Sequence, residues 1–209
     1  MGKEIIGVVA GGVSLIAYGI YIYTIWWGKT KPSRSSWWIL SIVWTIVLFS
    51  SFSLSIGETE QAKWAAVTSR WLSISYIIGS LGVAVSSIWR GASQRWKRFD
   101  YFCASSAGFA LFLYFFTNNP LASLIFGILA DFFGLLPTIK NAQKHPEQEN
   151  LLSWVITVIS CILALFAVSK WSFSVEYMSD WSIPVYLTVV DLLIVIFILR
   201  GIIYSKRYN

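Results

Sequence analysis

The sequence predicts an all-α integral membrane protein: seven transmembrane helices in two parallel three-helix repeats joined by a linker helix. Three observations predict this fold. Hydrophobic residues make up 56% of the 209 residues and charged residues only 12%, which is about half the charge of an ordinary soluble domain. Seven apolar stretches each approach the roughly 20 residues that a helix needs to cross a bilayer. Finally, parts of the first three stretches recur in the last three.

The seven stretches follow one another with short connections, so no soluble domain is predicted. They cover residues 5–27, 36–57, 66–89, 100–117, 120–140, 151–169 and 182–204. None shows the alternation of a barrel strand, so each is predicted to be a helix. The first stretch is too long for a signal peptide and is followed by a basic loop rather than a cleavage site. We therefore interpret it as retained.

An internal repeat divides the chain, because two sets of residues recur in the same order. At a spacing of 110, the recurring residues are Trp71, Tyr76, Arg90 and Gly91 with Trp181, Tyr186, Arg200 and Gly201. At a spacing of 114, they are Thr24, Ile25 and Pro32 with Thr138, Ile139 and Pro146. The shared order predicts a first bundle over 1–91, a linker helix over 92–119 and a second bundle over 120–209. In the alternative, the fourth helix only packs against the others and its match has diverged.

Lysine and arginine are unevenly distributed over the connections. Twelve follow odd-numbered helices: Lys29, Lys31, Arg34, Arg90, Arg95, Lys97, Arg98, Lys140, Lys144, Arg200, Lys206 and Arg207. Only four lie on the other side: Lys3, Lys63, Arg70 and Lys170. This bias predicts an outer N-terminus and a cytoplasmic C-terminus in the cell (inner) membrane. The net charge of +6 is therefore interpreted as a topology signal, and no nucleic-acid partner is predicted.

Tryptophans mark both predicted membrane interfaces. At the cytoplasmic ends of the helices lie Trp26, Trp27, Trp37, Trp38, Trp89, Trp96 and Trp154. At the outer ends lie Trp64, Trp71, Trp171 and Trp181. Both sets are typical of aromatic belts, in which the ring prefers the level of the lipid headgroups.

The fifth helix of the chain ends in the segment Leu136-Pro137-Thr138-Ile139-Lys140, and the first ends in Tyr23-Thr24-Ile25-Trp26. With the three-one-three helix order, these segments resemble the PQ-loop superfamily, which includes the SWEET sugar transporters. There the first helix of each repeat ends in a Pro-Gln pair and a short basic loop follows. Here proline is present only in the second copy and threonine replaces glutamine in both, as in a divergent branch that lacks the dipeptide. The resemblance implies transport by alternating access and leaves the solute unspecified.

Two carboxylic acids fall deep within predicted spans, Asp131 in the fifth helix and Asp191 in the seventh. An ionisable group at that depth is costly, and such residues commonly contact a solute or carry a proton. Gly134 follows Asp131 by three residues, and Thr138 follows Gly134 by four, so all three share one helix face. The alternative is that both acids only hydrogen-bond neighbouring helices and hold the bundle together.

Four further residues are candidates for solute binding or coupling: Trp44, Tyr76, Ser80 and Thr188. Trp44 is the tryptophan nearest the middle of a span, where it could form a stacking wall or simply belong to the core. The other three lie on stripes of small and polar residues, which also let membrane helices pack closely without any site. Pro137 is a candidate hinge, although many prolines kink membrane helices without moving them.

No motif indicates catalysis. The sequence contains no Gly-rich phosphate loop, no nucleophile–base pair and no Cys/His cluster, and His145 lacks partners at metal-ligand spacing. No enzyme activity, metal or cofactor is therefore predicted. The predicted function is transport of a small solute, facilitated or proton-coupled, by alternating access between the two bundles in a lipid bilayer. The rival is a non-transporting seven-helix membrane protein, receptor-like or lipid-binding. The sequence leaves homo-oligomerisation open.

Overall fold

A computed structural model describes residues 2–54, 60–90, 96–117 and 119–208. These residues form seven α-helices: α1 (Gly2–Trp26), α2 (Arg34–Leu54), α3 (Glu60–Arg90), α4 (Arg98–Phe116), α5 (Pro120–Lys144), α6 (Leu151–Ala167) and α7 (Val175–Tyr208). A short 3-10 helix, Pro146–Gln148, links α5 to α6. Each predicted stretch overlaps one helix, and residues 55–57 of the second stretch lie outside the described residues.

The described part of the chain is helical throughout and contains no strand, which confirms the predicted all-α class. Five of its helical segments are long and apolar enough to cross a membrane: Gly2–Trp26, Trp71–Arg90, Arg98–Phe116, Leu121–Lys144 and Asp180–Tyr204. Helix α6 is apolar but shorter, with 17 residues. Many large apolar side chains are exposed on the outside of the bundle, for example those of Ile16, Phe109 and Val189. These features are consistent with the predicted membrane location.

Local sequence explains where the later helices begin. Asn119 caps α5 by accepting hydrogen bonds from the backbone N–H groups of Leu121 (2.9 Å) and Ala122 (3.3 Å), and Pro120 follows at the first helical position. Asn150 caps α6 by accepting a hydrogen bond from the Ser153 N–H at 2.8 Å. These caps fix the start of two helices that line the central cavity.

We call α1–α3 the first group of helices and α5–α7 the second, and α4 lies outside both. In the first group α3 contacts both α1 and α2, and in the second α7 contacts both α5 and α6. Between the groups, α1 packs on α6 and α2 packs on α5, with smaller contacts of α3 to α7 and α6. Among the described residues, α4 packs on α5 and α2 only. The interface between the two groups therefore runs through the middle of the molecule.

Close approach of α1 and α3 requires glycine. A Cβ atom added at Gly11 would lie 2.8 Å from the carbonyl oxygen of Trp71, and one added at Gly79 would overlap the ring of Tyr18. Small residues are the usual means by which membrane helices approach each other this closely. Tyr18, which packs on Gly79, belongs to the largest core cluster. This cluster lies at the centre of the bundle and contains aromatic side chains from α1, α2, α3 and α6.

Two tryptophans differ from the interface position predicted for them. Trp37 and Trp154 are only 3% and 5% exposed and belong to the central core, whereas Trp26, Trp27 and Trp89 are exposed at the surface. The reason is a partner that the sequence did not reveal: both rings pack around Tyr21 of α1, with ring centroids 5.4 Å and 6.1 Å away. The interface prediction was therefore wrong for these two rings.

Candidate functional site

A central cavity lies at the interface between the two groups of helices. Its lining comes from α1, α2, α3, α5, α6 and α7, so each helix except α4 contributes. The cavity measures about 30 Å³, which holds a couple of water molecules but no larger solute. Six aromatic side chains surround it: Tyr18, Tyr21, Trp37, Trp44, Tyr76 and Trp154. The structure thus shows a closed conformation with a strongly aromatic centre.

Both mid-helix carboxyl groups line this cavity. Asp131 lies halfway along α5 and is 4% exposed, and Asp191 lies halfway along α7 and is 2% exposed. Tyr186 donates a hydrogen bond to Oδ2 of Asp131 at 2.8 Å, and Tyr76 donates one to Oδ2 of Asp191 at 2.9 Å. The two carboxyl groups are therefore held by neutral hydroxyl groups on α7 and α3, and no lysine, arginine or histidine is among the lining residues.

The second oxygen of Asp131 differs from the first. Oδ1 of Asp131 is buried and receives no hydrogen bond of good geometry, although the Trp44 indole also interacts with this carboxyl group. Burying a polar atom without a partner is unfavourable, and burying an unpaired charge is more so. The unpaired oxygen therefore marks a position in the cavity wall where a proton or a ligand would satisfy the carboxyl group.

A thiol joins the hydrogen bonds around Asp191. The Sγ atom of Cys161, on α6, lies 3.2 Å from the hydroxyl oxygen of Tyr76 and donates to Oδ2 of Asp191 at 3.6 Å. Helices α3, α6 and α7 thus meet at one carboxyl group. This arrangement links the first group of helices to the second through a buried carboxyl group.

The aromatic walls are arranged edge to face or tilted. Trp44 and Tyr76 have ring centroids 4.8 Å apart, and Tyr18 lies edge-on to Tyr76 at 5.6 Å and to Trp37 at 6.0 Å. Such pairs stabilise one another beyond simple burial of area. The rings therefore form a continuous aromatic lining from the level of the two aspartates to the end of the cavity at Tyr21.

The structure brings together five of the six residues predicted to bind or couple. Trp44, Tyr76, Ser80, Asp131 and Asp191 all line the cavity, although they come from four helices. Thr188 is not part of the lining. Its hydroxyl group donates to the carbonyl of Pro184 at 2.7 Å, one turn earlier in the same helix. A threonine hydroxyl inside a helix commonly donates to a carbonyl one turn earlier in this way. The Thr188 hydroxyl is thus bonded within α7 and does not face the cavity.

Pro137, the predicted hinge, lies away from the central cavity. Helix α5 runs continuously through it from Pro120 to Lys144. Pro137 lines a separate pocket of about 100 Å³ with Arg34, Lys97, Lys140 and His145. The basic groups there have partners of their own, since Arg34 donates to the carbonyl of Ser87 at 2.9 Å and Lys140 lies 3.7 Å from the centre of the Phe99 ring.

Sequence reasoning missed several contributors to the site, among them Tyr18, Cys161 and Tyr186. A signal for Tyr186 was present, because it is the repeat partner of Tyr76 at a spacing of 110. The matched tyrosines each donate to one of the two mid-helix aspartates. Tyr18 and Cys161 carried no such signal, since an isolated tyrosine or cysteine in an apolar stretch is most often a core residue.

One end of the cavity is closed by hydrogen-bonded side chains around a buried carboxyl group. We call them the Glu149 cluster, which consists of Glu149, Tyr21, Trp154 and Asn141. Glu149 precedes α6 and accepts hydrogen bonds from the Tyr21 hydroxyl (2.6 Å), the Trp154 indole (3.1 Å) and the Asn141 amide (2.8 Å). Glu149 was not among the site residues predicted from the sequence. Burial raises the pKa of Glu149 above its ordinary value, although the three donors act in the opposite direction.

The Glu149 cluster predicts how stability depends on pH. Because the pKa of Glu149 is higher in the folded protein, its stabilising effect is complete below the ordinary value of 4.5 and is lost as the pH rises through the raised value. We expect Glu149→Gln to flatten this part of the pH dependence of the unfolding temperature, measured on purified protein in detergent. Glu147→Gln is the matched control, because the Glu147 side chain is 68% exposed. An equal pH slope in wild type and Glu149→Gln would contradict the assignment.

Comparison of the chain with models of protein families, with curated proteins and with solved structures finds no match.

Proposed function

We propose that the protein transports a small solute across a membrane by alternating access between the two groups of three helices. The observation that carries the proposal is the central cavity. It lies at the interface of the two groups, is closed in this conformation, and contains two mid-helix carboxyl groups with an unpaired oxygen at Asp131. Solute sites of transporters built from repeated bundles lie at such a midplane interface.

The pattern of helix contacts supports two related halves. If the two groups are repeats of each other, α1 corresponds to α5, α2 to α6 and α3 to α7. Each contact should then have a counterpart: α1–α3 corresponds to α5–α7, α2–α3 to α6–α7, and α1–α6 to α5–α2. All of these contacts are present, and among the contacts between these six helices only the small α3–α6 contact lacks its counterpart in the described residues. The contacts of α4, with α5 and α2, have no counterpart and leave α4 outside this pattern. This pattern favours parallel repeats over 1–91 and 120–209 with α4 as the linker. It also supports our proposal that the chain is a divergent relative of the PQ-loop superfamily.

Contacts at both ends of the cavity could open in turn. At one end, the Glu149 cluster joins α1 to the start of α6, and the backbone N–H of Lys31 donates to the carbonyl of Gln148 at 2.9 Å. At the other end, the amino group of Lys3 donates to the carbonyl of Val168 at 2.8 Å. Both sets join the first group of helices to the second. We propose that transport breaks one set while the other remains closed.

Pro137 is the proposed hinge for this motion. Proline has no N–H group to bond the carbonyl of Phe133, one turn earlier in α5, so the helix is weaker there. The neighbouring carbonyl of Gly134 accepts a hydrogen bond from the Ser36 hydroxyl of α2, which ties the two groups together beside this point. We expect Pro137→Ala to leave solute binding unchanged and to slow uptake into liposomes.

The proposed orientation places the N-terminus outside and the C-terminus in the cytoplasm, so the Glu149 end of the cavity faces the cytoplasm. The uneven distribution of lysine and arginine supports it. Single cysteines introduced at positions 3 and 209 and treated with a membrane-impermeant maleimide test it, with labelling of position 3 alone expected in intact cells. Labelling of both positions would contradict a seven-helix topology.

The transport proposal is tested on purified protein. We expect at least one member of a panel of sugars, amino acids, vitamins and amines to raise the unfolding temperature, and the same compound to be taken up by liposomes that contain the protein. Empty liposomes are the control. Stabilisation by particular lipids with no response to any solute would instead favour a non-transporting membrane protein.

A further inference from the structure

We propose that the solute is an organic cation, whose ammonium group pairs with Asp131 and packs against the rings of Trp44, Tyr76 and Tyr18. The inference rests on the proposed transport function for its biological meaning. The chemistry of the cavity carries it, and binding can be measured independently of transport.

Charge is the first argument. The cavity lining contains two carboxyl groups and no lysine, arginine or histidine. The hydroxyl groups of Tyr186 and Tyr76 each satisfy one oxygen of these carboxyl groups, but a hydroxyl group brings no positive charge. An ionised carboxylate away from water needs a counterion or a proton. The cavity therefore favours a ligand that supplies a positive charge.

Hydrogen-bonding capacity is the second argument. Most polar groups of the lining are already paired within the protein: the hydroxyl of Ser80 donates to the carbonyl of Ile77, that of Thr157 to the carbonyl of Ser153, and that of Tyr21 to Glu149. Two buried polar atoms of the lining lack a hydrogen bond of good geometry, Oδ1 of Asp131 and Nε1 of Trp37; the Trp44 indole and the Tyr21 hydroxyl are their polar neighbours within the protein. A polyol such as a sugar needs many partners and finds few here. A ligand with one cationic group, one acceptor and an otherwise apolar body matches these two atoms.

The aromatic lining is the third argument, and it distinguishes an organic from an inorganic cation. The faces of Trp and Tyr rings attract cations, and aromatic cages are a recurrent means of binding quaternary ammonium groups. The rings of Trp44, Tyr18 and Tyr76 lie beside one another at the level of the aspartates. A metal ion would instead need several oxygen or nitrogen ligands. No group of three or more His, Cys, Asp and Glu side chains able to hold a metal lies in the described part of the chain.

The cavity must widen to admit such a ligand, because its present volume of about 30 Å³ suits only water. The cavity would widen if the two groups of helices separated. Asp131 would stay with Tyr186, because both belong to the second group. Trp44, Tyr76 and Tyr18 would stay together, because all three belong to the first. The ammonium group would then lie between a carboxylate on one side and aromatic rings on the other. Its binding would bridge the two groups.

The test compares two probes that differ in charge alone. These two probes are choline and its neutral isostere 3,3-dimethylbutan-1-ol, and benzyltrimethylammonium is tested beside them as a second cation. Each compound is titrated into purified protein at ionic strength matched with sodium chloride. Binding is measured by tryptophan fluorescence, since Trp37, Trp44 and Trp154 line the cavity, and by thermal stabilisation. We expect saturable binding of the two cations and none of the neutral isostere.

Variants locate the site. Asp131→Asn removes the charge but can still accept from Tyr186, so cation binding should weaken about tenfold or more. Trp44→Leu should weaken it several-fold, and Trp44→Phe less. Glu147→Gln removes an acidic group on the surface and should leave binding unchanged. If Asp131→Asn does not fold, the two Trp44 variants test the proposal: Trp44→Phe should bind the cations more tightly than Trp44→Leu.

Several outcomes would overturn the inference. Equal binding of the neutral isostere, a response to sodium chloride alone, no saturable response to either cation, or cation binding unaffected by Asp131→Asn would each do so. These results leave the transport proposal standing if a neutral solute is taken up by liposomes. Conversely, cation binding without uptake of the bound cation would support the binding site and contradict transport.

Discussion

Asp131→Asn is expected to leave a folded protein whose uptake no longer responds to a pH gradient. Asparagine has nearly the same shape, and its side-chain oxygen can accept the hydrogen bond that Tyr186 donates to Asp131. It cannot gain or lose a proton, so a proton-coupled step through this residue is lost. A gradient of one pH unit is worth about tenfold per coupled proton, which sets the response expected of the wild type in liposomes. Asp191→Asn should have the same consequence if the two acids act together.

The control for this experiment is Glu147→Gln, which removes an exposed carboxyl group that is not part of the cavity lining. It should keep the wild-type response to a pH gradient. Unchanged pH dependence in both aspartate variants would show that neither acid carries a transported proton. Loss of folded protein in either variant would favour the structural role that the sequence left open for these residues.

Gly79→Ala is expected to lower the stability of the folded protein substantially. The new methyl group would overlap the ring of Tyr18, which is itself enclosed by Trp37 and Tyr76 and has little freedom to move. Overpacking of this kind typically costs about 1–3 kcal/mol. Because Tyr18 lines the cavity, we expect solute binding to fall together with the unfolding temperature.

Gly19→Ala provides the matched control. It makes the same chemical change in the neighbouring helix α1, at a site where an added Cβ meets no atom within 4 Å. There alanine should be neutral or slightly stabilising, since it is the better helix former. If Gly79→Ala proved as stable as Gly19→Ala, the close packing of α1 on α3 would not hold in solution.

The helices and the depth of the two acids could be predicted from the sequence because both depend on local properties. An apolar run of about 20 residues is long enough to span a bilayer wherever it occurs, and a charge within it is visible at once. The periodicity of a helix then placed Tyr76 and Ser80 on one face. Five candidates meet at the cavity for this reason, and Thr188 was misassigned because a helix face does not show whether its hydroxyl group bonds its own backbone.

The partners of Glu149 could not be predicted in the same way. Tyr21 is separated from Glu149 by 128 residues, and the contact exists only because α1 packs against α6. The same packing buries Trp37 and Trp154, which by composition and position are indistinguishable from interfacial tryptophans. Contacts between distant segments depend on the order in which helices surround one another, and a single sequence carries little information about that order.

Cys161 has a practical consequence for the study of this site. A thiol S–H bond vibrates in a region of the infrared spectrum where protein groups otherwise absorb little, and its frequency falls as its hydrogen bond strengthens. Because the Cys161 thiol donates to Asp191, that band would report the state of the carboxyl group without any introduced label. The chain contains only one other cysteine, Cys103 on α4, so a Cys103→Ser variant would leave a single band to assign. The protein thus carries its own spectroscopic probe beside the carboxyl group of greatest mechanistic interest.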